Sequence, residues 1–476
     1  MGNAITWAAP AGVAASGDYT IEIDGRPVFV YAARVRAAIV QKPGLWSHER
    51  DPAGERASYV IFDASGPVDV AIRPSRPFKT AAVLPARLGI VPQVKDGCIR
   101  FRMARPELLT IVLDDSDQCA LHLLAGEPQR DLPDPADPNV IYFGPGLHEV
   151  HTLDLASGQT VYVAGGAVVR AVLRPGETGV YNDKWSITFY QGAVLGLKSV
   201  HNVRICGRGI IDASAVPHPG RSMILLTDSA AVRIEGVTLV DSANWNVNIC
   251  RSRDVVVDDL RIISGRLNSD GINSVNSQNV RVRRCFVRNH DDSIAAKATV
   301  PDMPCEDITV EGCVIWNDWG FAMGPTYESR SVIRRVSYRR CDIVFARHWC
   351  LGVHLSDGST VSEITFADIH IDLLRPPPPG SAYAALAGEP KLLHMAIVQD
   401  CWGNDGKPGL VRNVMVDGVT IHGDKMPISD MFGFDAEHDI RGVTLRNIRL
   451  AGGPAIHDPA SLRLQTNAHV KDVRVE

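Results

Sequence analysis

The sequence predicts an all-β protein in which an N-terminal β-sandwich is followed by a parallel β-helix. Two observations lead to this fold class. Strand-like runs of similar composition recur in the second part of the chain at the period typical of a solenoid. In front of them, short strand-like runs alternate with glycine, proline and aspartate turns and show no helical period.

The composition describes an ordinary soluble globular protein. The chain has 476 residues, a net charge of −5, 45% hydrophobic and 22% charged residues. No excess of basic residues indicates a nucleic-acid partner, and no run of 18 apolar residues predicts a membrane span. The first residues lack the pattern of a secretory signal. We therefore expect either a cytoplasmic protein or a secreted one whose signal has been removed, and the compartment stays open.

The first part of the chain is predicted to be a separate domain. Residues 1–130 contain the runs that favour an antiparallel β-sandwich, and proline and acidic residues are concentrated from Glu127 to Asn139. We assign 131–145 as a linker and 146–476 as the β-helix. Covering the exposed end of the helix is the expected role of the sandwich, because an open β edge invites association.

The repeat is clearest after residue 195. Related runs begin at residues 202, 231, 254, 279 and 307, so successive starts differ by 23 to 29 residues. Such variation suits a β-helix with turns of unequal length and excludes an exact leucine-rich or ankyrin period. A β-sandwich with chance similarity between its strands is the alternative. Leu373 to Pro390 contains four consecutive prolines and is expected to be a surface loop.

Cysteines give no sign of a metal site. The ten cysteines show no CxxC spacing, and most lie within apolar runs of the predicted solenoid. Buried free thiols are the favoured interpretation, with disulfides as the alternative. We expect neither a metal nor another cofactor.

Three aspartates mark the predicted functional site. Asp270 precedes the strand-like run GINSVNS, and the pair Asp291 and Asp292 precedes SIAAKA. Asp270 and Asp292 are separated by 292 − 270 = 22 residues, enough for three short strands and three turns, or one coil of the helix. The two residues would then start equivalent strands of adjacent coils, roughly 4.8 Å apart. Like charges so close cannot all ionise freely, so at least one pKa should rise, as a general acid requires.

Aromatic and amide residues are predicted on the neighbouring coils of the same face. Tryptophans, carboxylates and amides together are typical of a carbohydrate groove. Each residue also has a structural interpretation: an aspartate can cap a turn, a tryptophan can fill the core, a histidine can bond a neighbouring strand, and a lysine can end its strand in solvent. The candidates for substrate binding are Asn268, Trp245, Asn246, Lys297, Trp319 and His354.

The aspartate motifs resemble a known family. NSDGI from Asn268 and HDDSIAAK from His290, with their spacing, are similar to the motifs of glycoside hydrolase family 28, the polygalacturonases. YFGPGLHEV and QTVYVAGGAVV, which precede the coils, are more similar to family 49, the dextranases and isopullulanases. That family joins a β-sandwich to a right-handed parallel β-helix. Both families are inverting hydrolases of α-linked glycans.

The resemblance implies a role for each carboxylate. Asp291 would be the general acid, and Asp270 with Asp292 would activate water. Inversion usually requires carboxyl groups roughly 6.5–9.5 Å apart. Trp319 stands where polygalacturonases have a motif histidine, and His354 and Ser356 stand where they have an arginine and a lysine. Because those cations bind the uronate carboxylate, their replacement favours a neutral substrate.

The sequence therefore predicts an inverting hydrolase of α-glycosidic bonds in a neutral poly- or oligosaccharide, such as a dextran-like glucan. A polygalacturonase-like pectin hydrolase is the first alternative. A β-helical polysaccharide lyase and a noncatalytic carbohydrate-binding solenoid are the others. Carbohydrate is the expected partner, and the oligomeric state stays open.

Overall fold

The computed structural model describes residues 3–35, 55–182, 187–374 and 389–476. Nearly all regular structure in these ranges is β-strand, interrupted by the short 3-10 helix Ala86–Leu88. In this described part, no helix has the length and apolar character that crossing a membrane would need.

The N-terminal part is a sandwich of two sheets, as predicted. Strand Tyr19–Ile23 alternates buried and exposed residues, as expected for a strand with one face on a core. Ile21 and Val70 of one sheet pack with Phe62 and Leu123 of the other in a common core. The six-stranded sheet contains Ala4–Ile5, Tyr31–Arg34, Arg56–Ala64, Ala81–Leu84, Leu108–Leu113 and Leu121–Gly126. The five-stranded sheet contains Tyr19–Ile23, Arg26–Val28, Val68–Pro74, Gln93–Lys95 and Cys98–Met103.

The rest of the chain is a right-handed parallel β-helix built from two long ladders. The larger ladder contains 21 strands: Val140–Phe143, Gly146–Val150, Thr160–Val163, Ala167–Ala171, His201–Gly207, Ile210–Asp212, Ala230–Glu235, Thr238–Val240, Arg253–Asp258, Arg261–Ile263, Gln278–Arg283, Phe286–Asn289, Cys305–Glu311, Val314–Asn317, Ile333–Arg339, Asp342–Ala346, Thr360–Asp372, Leu410–His422, Ile440–Arg446, Arg449–Leu450 and Val470–Val475.

The second ladder carries the candidate site and contains 11 strands: Leu153–Asp154, Ala193–Lys198, Ser222–Thr227, Val247–Cys250, Ile272–Val275, Ile294–Lys297, Phe321–Tyr327, Trp349–Leu355, Lys391–Ile397, Ile428–Phe432 and Leu464–Thr466. A separate hairpin pairs Val180–Asn182 with Ile187–Phe189. Each strand of the 11-stranded ladder pairs with the corresponding strand of the next coil. Equivalent residues of successive coils therefore lie above one another in a column.

One coil explains how the sequence repeat folds. Ile272 pairs with Ile294 of the next coil, the same 22-residue step that separates the two aspartates. Between them the chain turns sharply at Asn276 and Arg284, whose φ angles are 48° and 52°. Asparagine tolerates this left-handed backbone well, and a residue in this conformation lets the chain bend between two strands.

The sandwich packs against one flank of the β-helix. Tyr59 and Val112 of the sandwich join Ile263, Phe286 and Trp316 of the helix in one buried cluster. Buried ion pairs cross the same boundary. The sandwich therefore covers a side of the solenoid in addition to preceding its first coil.

Two predictions about segments need adjustment or lie outside the structure. Val140–Phe143 already pairs with Thr160–Val163, so the solenoid ladder begins inside the predicted linker 131–145. Most of the predicted loop Leu373 to Pro390 lies outside the described residues.

All ten cysteines are free thiols, and seven of them are buried.

Candidate active site

Three carboxylates meet where two adjacent coils begin their site strands. The Gly271 amide donates to the Asp292 carbonyl at 2.8 Å, which stacks the Asp270 turn directly on the turn of the next coil. Asp270, Asp291 and Asp292 each offer a carboxylate oxygen within 4.8 Å of the others. Asp270 and Asp292 are only 2% and 1% exposed, whereas Asp291 is half-buried. Asp291 is therefore the most accessible of the three to a substrate.

Asp292 is fixed as a hydrogen-bond acceptor. Its Oδ2 accepts from Thr326 Oγ1 at 2.6 Å and from Lys297 Nζ at 3.3 Å, and its Oδ1 accepts from the Phe321 amide at 3.1 Å. The Asp292 amide in turn donates to Asp291 Oδ1 at 2.9 Å. Asp292 therefore has one orientation, and it helps to hold its neighbour.

The other two carboxyl groups have raised pKa values. Burial, followed by the negative charge of Asp292, raises the pKa of Asp291 to about 7. Burial and the adjacent Asp291 raise the pKa of Asp270 well above its usual range, although Asn273 donates to Asp270 Oδ2 at 2.9 Å. Charge crowding was expected to raise at least one pKa, and the geometry agrees. A carboxyl group that stays protonated near neutral pH can serve as a general acid.

Lys297 does not end its strand in solvent, which corrects the interpretation favoured by sequence. The side chain is buried, and Nζ lies 3.3 Å from Asp292 Oδ2 and 3.1 Å from Glu328 Oε2. Nζ also lies 5.3 Å from the ring centroid of Trp245 and 5.5 Å from that of Tyr327. Burial lowers the pKa of Lys297, but Glu328 and Asp292 outweigh it and the net shift is upward. Lys297 is 2% exposed and holds Asp292, and a direct contact with a sugar stays a prediction.

The structure also corrects the prediction that Asn246 binds the sugar. Its side chain is fully buried, so it cannot contact a ligand in the groove. Its Nδ2 donates to the carbonyls of Ser269 and Asp270, and its Oδ1 accepts from Ser264 at 2.9 Å. An amide satisfied in this way braces the turn that carries Asp270. Asn268 lies in that turn, half-buried, with a φ angle of 52°.

The two predicted tryptophans are partly exposed next to the carboxylates. Trp245 covers the ammonium of Lys297, and Trp319 stacks on His290 with a centroid distance of 5.7 Å. Trp319 also meets the His348 ring edge-on at 4.6 Å. Neither side chain is a core residue of the solenoid, so both stay candidates for contact with a sugar face.

His354 lies further along the same ladder, where it pairs with Thr326 of the preceding coil. Its Nε2 lies 3.1 Å from Asp400 Oδ2, and its Nδ1 lies 3.4 Å from Nε2 of His394. His394 is held in turn by Asp430 at 2.6 Å. His354 is thus half-buried in a polar network, and its role in binding stays a prediction.

Sequence reasoning missed several residues that build the site. Asn289 and Asn317 are fully buried, and each donates to the Asp291 carbonyl at 2.7 Å. Gly320 packs against the Asp291 and Asp292 backbone, and Thr326 binds Asp292. Asparagines at the ends of strands Phe286–Asn289 and Val314–Asn317, one coil apart, were the available signal for the first two.

The carboxylates are also the place where a cation would bind, among the residues that the structure describes. Oxygen ligands of this kind suit a hard divalent cation. However, the ammonium of Lys297 already lies against Asp292 Oδ2.

The distance between the carboxylates also bears on the mechanism. Their oxygens lie within 4.8 Å of one another, which is shorter than the roughly 6.5–9.5 Å expected for an inverting pair.

The sequence of this chain resembles a known family and a known relative. Residues 176–377 match the family described as "Glycosyl hydrolases family 28". A probable polygalacturonase from Vitis vinifera is 29% identical over 150 residues, which are 31% of this chain and 26% of the relative. The aligned region thus spans about a quarter of the relative's length.

Solved structures resemble the whole fold. Dex49A from Penicillium minioluteum superposes with a TM-score of 0.63 at 14% identity and covers 98% of this chain and 96% of its own. A hyperthermoactive exopolygalacturonase from Thermotoga maritima has a TM-score of 0.52 at 13% identity, with 71% and 84% covered. At such identities the likeness concerns the fold, and the first structure resembles nearly the entire chain.

Proposed function

We propose that this chain, whose residues 176–377 match the glycosyl hydrolases of family 28, is an inverting hydrolase of α-glycosidic bonds in a neutral poly- or oligosaccharide. This match supports the family resemblance and the glycoside hydrolase class that the motifs predict. The observation that carries the proposal is the asymmetry of the carboxylates. Asp292 is fixed by three donors, while half-buried Asp291 has a pKa of about 7.

That asymmetry supports a division of labour. Protonated Asp291 transfers its proton to the glycosidic oxygen as the bond to the anomeric carbon breaks. A water held by Asp270 and Asp292 attacks that carbon from the opposite face and gives up a proton to the pair. The atoms balance as one water consumed and one new reducing end formed. No group outside the three aspartates is needed for this step.

The stereochemistry has a direct test. Carboxylate oxygens as close as 4.8 Å are nearer to the roughly 5–5.5 Å that retaining enzymes show. The family match supports inversion because both similar families invert. Proton NMR of the first product formed decides between the two: an inverted anomer supports water activation by Asp270 and Asp292, whereas a retained anomer would make one of them a nucleophile.

The choice of a neutral substrate rests on the groove beyond the carboxylates. Ser356, which stands where polygalacturonases have a lysine, is 1% exposed. His354, which stands where they have an arginine, is held by Asp400. Neither position presents a free cation to a uronate carboxylate. The fold likeness of the whole chain to Dex49A is a second, weaker support for a dextran-like glucan.

A polygalacturonase-like activity is the second candidate, and the similarity to a probable polygalacturonase favours it. We would measure reducing-sugar release from dextran, pullulan, other α-glucans and polygalacturonate with the wild type and Asp291→Asn. Release from a neutral glucan that is abolished by the substitution would support the proposal. Release from polygalacturonate alone would overturn the substrate assignment and leave the mechanism in place.

Ultraviolet absorbance of the products and a glycan-binding measurement separate the remaining alternatives. A lyase would give an unsaturated product that absorbs in the ultraviolet, with no water added. A noncatalytic solenoid would bind a glycan equally well in the wild type and in Asp291→Asn, with no turnover in either. Either result would overturn the hydrolytic mechanism.

A further inference from the structure

Two chains of polar and charged side chains connect the sandwich to the turn that touches the carboxylates. The turn of residues 317–320, here called the bracing turn, follows strand Val314–Asn317. Asn317 donates to the Asp291 carbonyl at 2.7 Å, and the Phe321 amide that ends the turn donates to Asp292 Oδ1 at 3.1 Å. The position of the bracing turn therefore sets the position of both aspartates.

The first chain begins at His122 in the sandwich. Arg288 of the solenoid lies 3.0 Å from His122 Nε2 through Nη1 and 3.3 Å from Asp318 Oδ2 through Nε. An arginine only donates, so Nε2 of His122 must accept. The His122 proton is then on Nδ1, where it donates to Thr110 Oγ1 at 2.9 Å. Burial and the charge of Arg288 lower the pKa of His122 well below its usual range, which keeps this acceptor available.

The second chain begins at Asp117 in the same domain. Arg347 donates to Asp117 Oδ2 at 2.8 Å and to the carbonyl of Asp318 at 3.2 Å. Both chains therefore converge on Asp318, one through its carboxylate and one through its backbone. Trp316 Nε1 adds a bond to Asp318 Oδ1 at 3.0 Å.

The burial of these groups makes the connection stiff. Arg288 and His122 are fully buried, and Asp117 and Asp318 are 1% and 3% exposed. Charges in such a place keep their geometry because losing one partner leaves the other uncompensated. A misplacement of about 1 Å in a reacting group can lower a rate by about 100-fold.

We propose that His122 and Asp117 of the sandwich are positioning residues that hold the bracing turn, and through it Asp291 and Asp292, in their reactive geometry. The inference rests on the proposed hydrolytic function for its kinetic part. It gives the sandwich a role in turnover beyond covering the solenoid, although within 3–35 and 55–126 no hydrogen bond or ion pair joins the sandwich to the three carboxylates.

Two disruptive substitutions, one rescue variant and one matched control test this role. His122→Phe removes the acceptor for Arg288 and keeps a buried ring, while His122→Gln restores an acceptor oxygen. Asp117→Asn removes the charge that faces Arg347. Asp63→Asn is the control, because Asp63 is also a sandwich aspartate, is 1% exposed, and pairs at 2.7 Å with a solenoid arginine, Arg208. Arg208 precedes strand Ile210–Asp212, which lies two coils before the strand that leads to Asp270 and three before the strand that leads to Asp292.

Two readouts keep the proposal separate from the proposed function. Hydrogen–deuterium exchange of the peptide covering the bracing turn should rise at least about tenfold in His122→Phe and Asp117→Asn, and stay at the wild-type rate in Asp63→Asn. On a substrate that the wild type hydrolyses, kcat should fall about 10- to 100-fold with KM little changed, and His122→Gln should recover most of it.

The opposite results are equally clear. Equal exchange in the turn for all three variants, or equal loss of kcat in the Asp63→Asn control, would overturn the proposal and leave the interface as a source of stability only. A wild type that hydrolyses no glycan would contradict the proposed function, while the exchange rates would still decide whether the sandwich holds the turn.

Discussion

Gly320 packs directly on the backbone of Asp292: a β-carbon at position 320 would lie 2.6 Å from the Asp292 amide nitrogen and 2.8 Å from its Oδ1. Real β-carbons do not approach other atoms so closely, and the two nearest neighbours, the Asp291 carbonyl carbon and the Asp292 amide nitrogen, are backbone atoms that cannot rotate away. The two coils are thus in contact where the chemistry is proposed. Only glycine allows this approach.

We therefore expect Gly320→Ala to push Asp292 out of place. kcat should fall by at least about 100-fold, and the free energy of unfolding should fall by about 1–3 kcal/mol because the site is overpacked. Steady-state kinetics and urea unfolding measure the two effects. Gly17→Ala is the control, since a β-carbon at Gly17 meets no atom within 4 Å. Unchanged kcat in Gly320→Ala would contradict the packing argument.

The activity should depend on a carboxyl group that titrates near neutrality. Asp291 has a pKa of about 7 and must be protonated to act as the acid. kcat/KM should accordingly fall tenfold for each pH unit above about 7. A pH–rate profile measured between pH 4 and 9 tests this dependence. A profile that stays flat to pH 9 would exclude Asp291 as the acid.

Replacing the same residue should stabilise the fold. A carboxyl group whose pKa is raised from 3.8 to about 7 in the folded state costs nothing below pH 4, where both states are protonated. The cost grows as the pH rises from 4 to 7 and then stays constant. Asp291→Asn should therefore raise the free energy of unfolding by roughly 1–3 kcal/mol at pH 8 and by almost nothing at pH 4.

A surface aspartate gives the control of opposite sign. The bond from Arg251 lowers the pKa of Asp228, so its stabilising contribution is present above pH 4 and disappears as the pH falls through the lowered value. Asp228→Asn should therefore lower the thermal midpoint slightly at pH 8, while Asp291→Asn raises it. Thermal melts at pH 4, 6 and 8 compare the two. A lower midpoint for Asp291→Asn at pH 8 would contradict the raised pKa.

Lys297 should matter for turnover although it is buried. Lys297→Met keeps the length of the side chain but leaves Asp292 and Glu328 without their shared cation. kcat should fall more than about tenfold, and the free energy of unfolding should fall by about 3–5 kcal/mol.

Lys471→Met is the control for that substitution. Lys471 pairs with Asp439 at 3.0 Å on the other ladder, more exposed and away from the three aspartates. We expect it to change kcat little when measured under the same conditions. If the two variants lost kcat equally, the effect of Lys297 would be one of general stability and not of support for Asp292.

Periodicity explains how far the sequence could predict this site. The 22-residue step between Asp270 and Asp292 is also the step between Ile272 and Ile294, so it fixed both the coil and the column of the aspartates. The buried positions of Asn246 and Lys297 follow from contacts with neighbouring coils, which no local pattern encodes. The bond between Arg288 and His122 joins residues 166 positions apart, so it emerges only once both domains are folded.

The stacking of coils has a consequence for how such proteins diversify. The three carboxylates come from only two adjacent coils, while Trp245, Trp319 and His354 are spread over the coils before and after them. Because each coil pairs only with its neighbours, a mutation or insertion one or two coils away can reshape the proposed sugar-binding surface and leave the three carboxylates where they are. Evolution can therefore change the substrate of this fold while the catalytic carboxylates stay the same.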